Sequence, residues 1–140
     1  MAMTFQVTVD SNDPHALADW WAETLGWKVE EQDPKFIQRM IDEGQASADD
    51  AVEYEGSLVW RAGAAIISPD DGVPRVLFQL VPEAKTVKNR LHFDLRGAGD
   101  DVAAVRGRLL VRGATFLHEG SVGPTSWVTM ADPQGNEFCV

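Results

Sequence analysis

The stretch LHFDL at residues 91–95 carries the side chains best suited to chemistry in this sequence. Side chains alternate between the two faces of a β-strand, so His92 and Asp94 project to one face and Phe93 to the other. An imidazole beside a carboxylate is suited to general acid–base work or to metal binding. A histidine on a polar strand face can also simply hydrogen-bond its neighbours, so a pocket role and a structural role both stay open.

A second group of candidate side chains lies on the last strand, within EFCV at residues 137–140. Glu137 and Cys139 share a strand face and are displaced by roughly 7 Å, as His92 and Asp94 are. The pattern predicts His92, Asp94 and Glu137 as catalytic residues or as a displaced metal site. Cys139 considered alone is more typical of a small buried apolar residue than of a nucleophile.

Three further side chains are candidates for a ligand pocket. Trp60 and Trp127 each stand on a strand and offer a flat surface to a planar ligand, although core packing is the usual role of tryptophan. Arg90 follows Lys85 and Lys88 at the entry to the strand at residues 91–95. This basic group either binds an anionic part of a ligand or pairs with surface carboxylates.

The elements that position these residues begin with a strand at residues 4–10, where apolar and polar side chains alternate. Asn12 or Asp13 can cap the helix that follows. Since Trp20 and Trp21 are adjacent on that helix, we expect one ring to pack inward and the other to be partly exposed. Gly26 is suited to end the helix, and a strand resumes after it.

The second half of the chain repeats this order. The strand at residues 91–95 precedes a helix that Asp100 or Asp101 can cap, and Gly113 ends it in the place that Gly26 takes in the first half. Each half then closes with strand, acidic glycine-containing turn and strand. The sequence therefore contains the unit βαβββ twice.

The predicted fold class is α+β, with two tandem βαβββ modules whose curved mixed β-sheets line a cleft. The chain is interpreted as a single domain, with module 1 at about residues 4–82 and module 2 at about residues 88–140. Module 1 alone carries a helical insertion at about residues 30–56, which predicts a lid, an oligomer contact or a surface embellishment.

Composition excludes some classes of partner. The 22 acidic and 12 basic residues give a formal net charge of −10, which would repel a nucleic acid, and the apolar runs are too short for a membrane span. No secretory signal pattern opens the chain. Cys139 is the one cysteine, which excludes an internal disulfide and is compatible with the cytoplasm, the predicted location.

The motifs LGW, NRLHFDL and DPQGNEFCV, together with the duplicated unit, resemble the vicinal oxygen chelate superfamily, and within it the glyoxalase-like or glyoxalase/bleomycin resistance-like proteins of actinobacterial type. The resemblance covers nearly the whole chain. It implies the glyoxalase/bleomycin resistance/dihydroxybiphenyl dioxygenase fold, a small-molecule ligand and a homodimer.

The resemblance also implies where metal ligands would stand, one on each of four strands. Carried over by position, they fall on Gln6, Gln79, His92 and Cys139. Two neutral amides are weak donors for a divalent cation, and this set resembles no usual zinc site. The sequence therefore predicts no resident cofactor, and a divalent metal fits this set poorly.

Three functions stay open on these residues. The first is a small-molecule-binding, glyoxalase-like protein with a degenerate metal site. The second is a divergent metal-dependent lyase of the lactoylglutathione lyase type, an isomerase or a dioxygenase, using His92 with Glu137 or Asp94. The third is a resistance protein that sequesters a cationic drug, which the net charge of −10 would suit.

Overall fold

The computed structural model describes residues 1–97, 99 and 101–140, and their contacts divide the chain into two compact units, Met1–Glu83 and Ala84–Val140. Each unit contains a four-stranded sheet and a helix that packs on it. Asp100, one of the two predicted caps of the later helix, lies outside the described residues.

The first unit contains two α-helices, a short 3-10 helix and six strands in its described residues. In chain order they are β1 (Val7–Ser11), α1 (Pro14–Leu25), β2 (Lys28–Val29), α2 (Pro34–Asp42), the 3-10 helix (Ala48–Asp50), β3 (Ala51–Tyr54), β4 (Ser57–Trp60), β5 (Gly63–Ile67) and β6 (Val76–Leu80). The sheet order is β1-β6-β5-β2, in which β1 and β6 are parallel and the other pairs antiparallel.

The second unit repeats this arrangement. Its elements are β7 (Phe93–Asp94), α3 (Val102–Val111), β8 (Thr115–Val122), β9 (Thr125–Ala131) and β10 (Glu137–Cys139). The sheet order is β7-β10-β9-β8, and again the first and last strands of the unit pair in parallel. The predicted α+β class and the duplicated βαβββ unit are therefore confirmed.

Helix α1 begins and ends as its sequence predicts. The Asp13 side chain accepts a hydrogen bond from the Ala16 amide, and Gly26 adopts φ +69°, a conformation that glycine reaches without steric cost. The expectation that Trp20 and Trp21 diverge in burial was wrong, since they are 8% and 2% exposed. Seven of the twelve helical residues are buried, so the helix is covered over most of its circumference and accommodates both rings.

The insertion of the first unit contains more regular structure than its sequence indicated. Besides α2 and a capping box at Ser47, strands β3 and β4 form a separate antiparallel hairpin. The Tyr54 hydroxyl donates to the Asp19 carboxylate on α1, and burial together with that carboxylate raises the pKa of the Tyr54 phenol. The His15 ring stacks on Tyr54, and its Nε2–H donates to the Trp60 carbonyl 2.8 Å away. These contacts join the hairpin to α1 and give His15 a structural role.

Two strands are shorter than the sequence predicts. Strand β1 begins at Val7 rather than at residue 4, and β7 consists of Phe93 and Asp94 alone. Strand β7 is an edge strand whose one partner, β10, has three residues, so few backbone groups are available to extend the ladder. Leu91 is accordingly 90% exposed, and His92 immediately precedes the strand.

No helix in the described ranges combines the length and the apolar character needed to cross a membrane.

Gly63 provides a test of the packing between β5 and β6. A Cβ at this position would lie 2.0 Å from the Phe78 carbonyl oxygen, and the residue has φ +157°. We expect Gly63→Ala to lower the free energy of unfolding by roughly 2–3 kcal/mol, the typical effect of forcing atoms into a packed region, as measured by urea denaturation.

The matched control is Gly107→Ala in α3, where a Cβ meets no atom within 4 Å. This change should leave the protein unaltered or stabilise it by about 0.5–1 kcal/mol, because alanine is the better helix former. Equal stability of Gly63→Ala and the wild type would contradict the close approach of the two strands.

Candidate functional site

The parallel pairing of β7 with β10 gives the second sheet one polar and one apolar face. Asp94 lies opposite Cys139 and Phe93 opposite Phe138 in the register of these strands. The Phe138 side chain is fully buried, as is that of Met130 on β9. Because side chains alternate along a strand, Asp94 and Cys139 share the opposite, polar face.

His92 and Asp94 form a hydrogen-bonded pair on this face. His92 Nδ1 lies 2.9 Å from Asp94 Oδ1, and the two side chains are 42% and 54% exposed. A carboxylate at this distance accepts the Nδ1–H and fixes the orientation of the ring. The pair is thus accessible to a ligand and arranged for proton transfer through the other ring nitrogen.

Cys139 brings a sulfur atom to the same pair. One ligand atom each from His92, Asp94 and Cys139 all lie within 4.8 Å of one another. Cys139 Sγ also lies 3.5 Å from the hydroxyl oxygen of Thr129, a buried residue on β9 directly opposite Cys139. An imidazole, a carboxylate and a thiol therefore meet at one place on the sheet.

Strands β9 and β8 add an aromatic surface to the polar face. Trp127 pairs with Gly120 across these strands, and its indole ring lies directly over the glycine. A Cβ at position 120 would lie 2.5 Å from the ring, so only glycine permits this position of the indole. The ring is half-buried and presents a flat surface beside the His92 group.

A cavity of about 510 Å³ lies over this face, and the residues that line it all belong to the second unit. Its polar lining includes His92 and Asp94, which bind each other, and Lys88 and Glu137, which also bind each other. Arg96 lines the same cavity and makes no ion pair within the part of the chain that the structure describes. The Arg96 guanidinium is therefore available to an anionic group of a ligand.

Glu137 is bound by the basic loop that precedes β7. Its carboxylate accepts hydrogen bonds from Lys88 Nζ and from the Asn89 amide, and Lys85 Nζ lies 3.7 Å away. The Lys88 contact, with the help of Asn89 and Lys85, lowers the pKa of Glu137 below its ordinary value, although burial opposes the shift. The sequence predicted Glu137 beside His92 and Asp94, and in the structure its carboxylate is engaged by Lys88 while Cys139 joins the pair.

Of the other predicted pocket residues, Trp127 lines this cavity and two do not. Trp60 lies in the first unit, where it lines two cavities of about 460 and 610 Å³ together with Gln79. Arg90 is exposed and lies outside the lining. Arg96 was not predicted as a pocket residue, although the alternation places it on the same strand face as His92 and Asp94.

The predicted metal ligands of the first unit have other surroundings. Gln6 precedes β1, and its Oε1 accepts a hydrogen bond from Arg75 Nε at 2.9 Å. Gln79 is exposed on β6, opposite Asp10. The two parallel registers indicate that Thr8, rather than Gln6, is the counterpart of His92. Thr8 stands two residues before Asp10, which pairs with Gln79, as His92 stands two residues before Asp94, which pairs with Cys139.

The four side chains implied by resemblance fit a divalent metal poorly. Gln6 and Gln79 offer neutral amide oxygens, which are weak ligands beside carboxylates and imidazoles. The amide oxygen of Gln6 is in addition hydrogen-bonded to Arg75.

Comparison with solved structures defines the fold. A hypothetical protein from S. aureus superimposes with a TM-score of 0.58 at 13% identity, over 99% of this chain and 96% of that one. The fosfomycin resistance protein FosX from Listeria monocytogenes gives 0.61 at 7% identity, over 99% and 91%. A glyoxalase/bleomycin resistance protein/dioxygenase family enzyme from Burkholderia phytofirmans gives 0.55 at 16% identity, over 96% and 93%. The fold is therefore that of the vicinal oxygen chelate superfamily.

The particular family follows from the sequence match. The family model described as glyoxalase-like domain matches residues 6–140, and the chain belongs to that family. The predicted superfamily is thereby confirmed. No curated protein matches this sequence.

The contact between Lys88 and Glu137 predicts a pH-dependent contribution to stability. Lys88→Met should lower the free energy of unfolding by about 0.5–1 kcal/mol at neutral pH, the range for an ion pair with an exposed partner. Because the folded-state pKa of Glu137 is lowered, this stabilisation is present above the ordinary value of 4.5 and is lost as the pH falls through the folded-state value. Urea denaturation of both proteins across this range measures the difference.

Lys35→Met on α2 removes the same charge from a residue far along the chain and should show no such pH dependence. A Lys88→Met effect that persists undiminished in acid would contradict the proposed pairing with Glu137.

Proposed function

We propose that this glyoxalase-like protein binds a small organic molecule with an anionic group in the cavity of its second unit. The observation that carries the proposal is the cavity itself, about 510 Å³ in volume, with Arg96 and the Trp127 indole in its lining. This volume lies within the range of roughly 300–1,000 Å³ typical of small-molecule sites. The indole offers a flat apolar surface and the guanidinium a charged anchor.

The charges in the lining support an anionic rather than a cationic ligand. The two carboxylates of the cavity, Asp94 and Glu137, are engaged by His92 and Lys88. None of the described ion pairs includes Arg96, so its guanidinium is a cation that a ligand can reach. A cationic drug, which the net charge of −10 suggests, would instead be repelled by the guanidinium of Arg96.

A second candidate function is acid–base catalysis on the bound molecule by His92 and Asp94. Its support is the 2.9 Å hydrogen bond, which orients the imidazole while both side chains stay accessible. In such a reaction the imidazole would accept a proton from the ligand, and Asp94 would stabilise the imidazolium. This is the chemistry of an isomerase or lyase, and Glu137 would act only indirectly, through the position of Lys88.

A homodimer in the cytoplasm is part of the proposal. Proteins that resemble this one commonly dimerise, and analytical ultracentrifugation of the full chain at several concentrations measures the assembly. A single monomeric species at all concentrations would contradict a stable dimer.

Ligand binding can be followed at Trp127 by NMR of the ¹⁵N-labelled protein with chelator present. Benzoate and phenylphosphonate should shift the Trp127 indole N–H signal saturably, since each combines a ring with an anion, whereas benzylamine should bind more weakly. Trp127→Phe identifies the signal. Arg96→Gln should weaken benzoate binding by about fivefold, which corresponds to roughly 1 kcal/mol for an exposed ion pair.

Arg39→Gln, a matched change on α2 of the first unit, should leave the affinity unaltered. Tighter binding of benzylamine than of benzoate, or no saturable change at Trp127 with any of the three probes, would refute the proposal.

A further inference from the structure

We infer that His92, Asp94 and Cys139 form a thiolate-containing site for zinc, built entirely within the second unit. One ligand atom from each side chain lies within 4.8 Å of the other two. This inference stands on the three side chains and does not depend on whether the cavity takes an organic anion. It replaces the four-residue set implied by resemblance, which fits a metal poorly.

The backbone supports the grouping. Asp94 and Cys139 are direct partners in the parallel pairing of β7 and β10, so their side chains leave neighbouring strands on the same face. His92 stands one pleat earlier and already contacts Asp94. A tetrahedral zinc ion separates its ligand atoms by roughly 3.3–3.8 Å, so side-chain rotations suffice to close the group around it.

The donor types select the metal. Zinc accepts imidazole, carboxylate and thiolate ligands together, whereas magnesium and calcium require oxygen donors. On binding, the Cys139 thiol releases its proton to solvent and the sulfur binds as thiolate. Charge balance favours the complex, since one thiolate and one carboxylate neutralise the two charges of the ion.

A neighbouring hydroxyl supports the sulfur ligand. Thr129 Oγ1 lies 3.5 Å from Cys139 Sγ and can donate its hydrogen to the thiolate. Thr129 is 6% exposed, so this hydroxyl is held in place by the sheet. Contacts of this kind orient metal ligands and commonly change metal affinity by about 10–100-fold.

The site opens onto the cavity that Arg96 and Trp127 line. Three protein ligands leave a fourth zinc position free, as in sites where zinc meets a substrate or water. Because the loaded group is electrically neutral, it leaves the Arg96 guanidinium available to an anion. Zinc and an organic anion can thus be bound together.

Cobalt(II) titration of the full chain tests the inference, because cobalt substitutes for zinc and reports a thiolate ligand by a near-ultraviolet charge-transfer band. We expect one cobalt per chain, the band, and displacement of cobalt by zinc. Cys139→Ser should abolish the band. His92→Ala and Asp94→Asn should each weaken zinc binding more than about tenfold, measured by competition with a chromophoric chelator.

Two controls separate this site from others. Glu119→Gln removes a carboxylate on β8 that pairs with Arg106 outside the cavity lining, and it should leave cobalt and zinc binding unchanged. The double variant Gln6→Leu, Gln79→Leu should also bind normally, since neither amide belongs to the group. Metal affinity that falls in the double variant and not in Asp94→Asn would overturn the inference in favour of the four-residue set.

A second measurement uses the unmodified protein. Cys139 is the one cysteine of the chain, so alkylation by iodoacetamide reports on it alone. Zinc should slow the reaction more than about tenfold in the wild type and have little effect in Asp94→Asn, whereas magnesium should protect neither protein. Absence of the cobalt band together with alkylation that zinc does not slow would overturn the inference.

Discussion

The short parallel pairing between β7 and β10 determines the chemistry of the second unit. Two register pairs, Phe93 with Phe138 and Asp94 with Cys139, place the aromatic side chains in the core and the carboxylate and sulfur on the opposite face. The burial of Phe138, which is fully enclosed, holds the register, because a shift by one residue would turn this ring to water and the thiol to the core. The polar group is therefore positioned by hydrophobic packing on the other side of the same strands.

Local pairing of charges explains how an acidic protein can offer a cationic group to a ligand. The formal charge of −10 is spread over the chain, but Lys88 and His92 engage the carboxylates of Glu137 and Asp94 within the lining. Net charge governs long-range encounter, whereas a ligand inside a cavity responds to the groups that lie within a few ångströms. The direct neighbours of a site therefore say more about its ligand than the composition of the whole chain.

The repeated unit and the helix ends could be predicted because they follow from local signals. Alternation along strands, Asp13 as a cap and glycine at a helix end act within a few residues. The grouping at the site was harder to predict, since it depends on which residue of β10 pairs with which residue of β7. Glu137 and Cys139 differ by one pleat. In the structure Cys139 is the partner of Asp94, and Lys88 engages Glu137 from a loop 49 residues earlier in the chain. The β3–β4 hairpin was missed because nothing in the second unit corresponds to it.

Gly120 has a consequence for the size of molecule that the second unit can accept. The indole of Trp127 rests against the backbone at this glycine, where no side chain fits. A methyl group there would lift the ring off the sheet and into the space above it. The residue at position 120 thus sets how far the indole extends into the binding site. A substitution there would change which ligand sizes fit and would leave the charged groups in place.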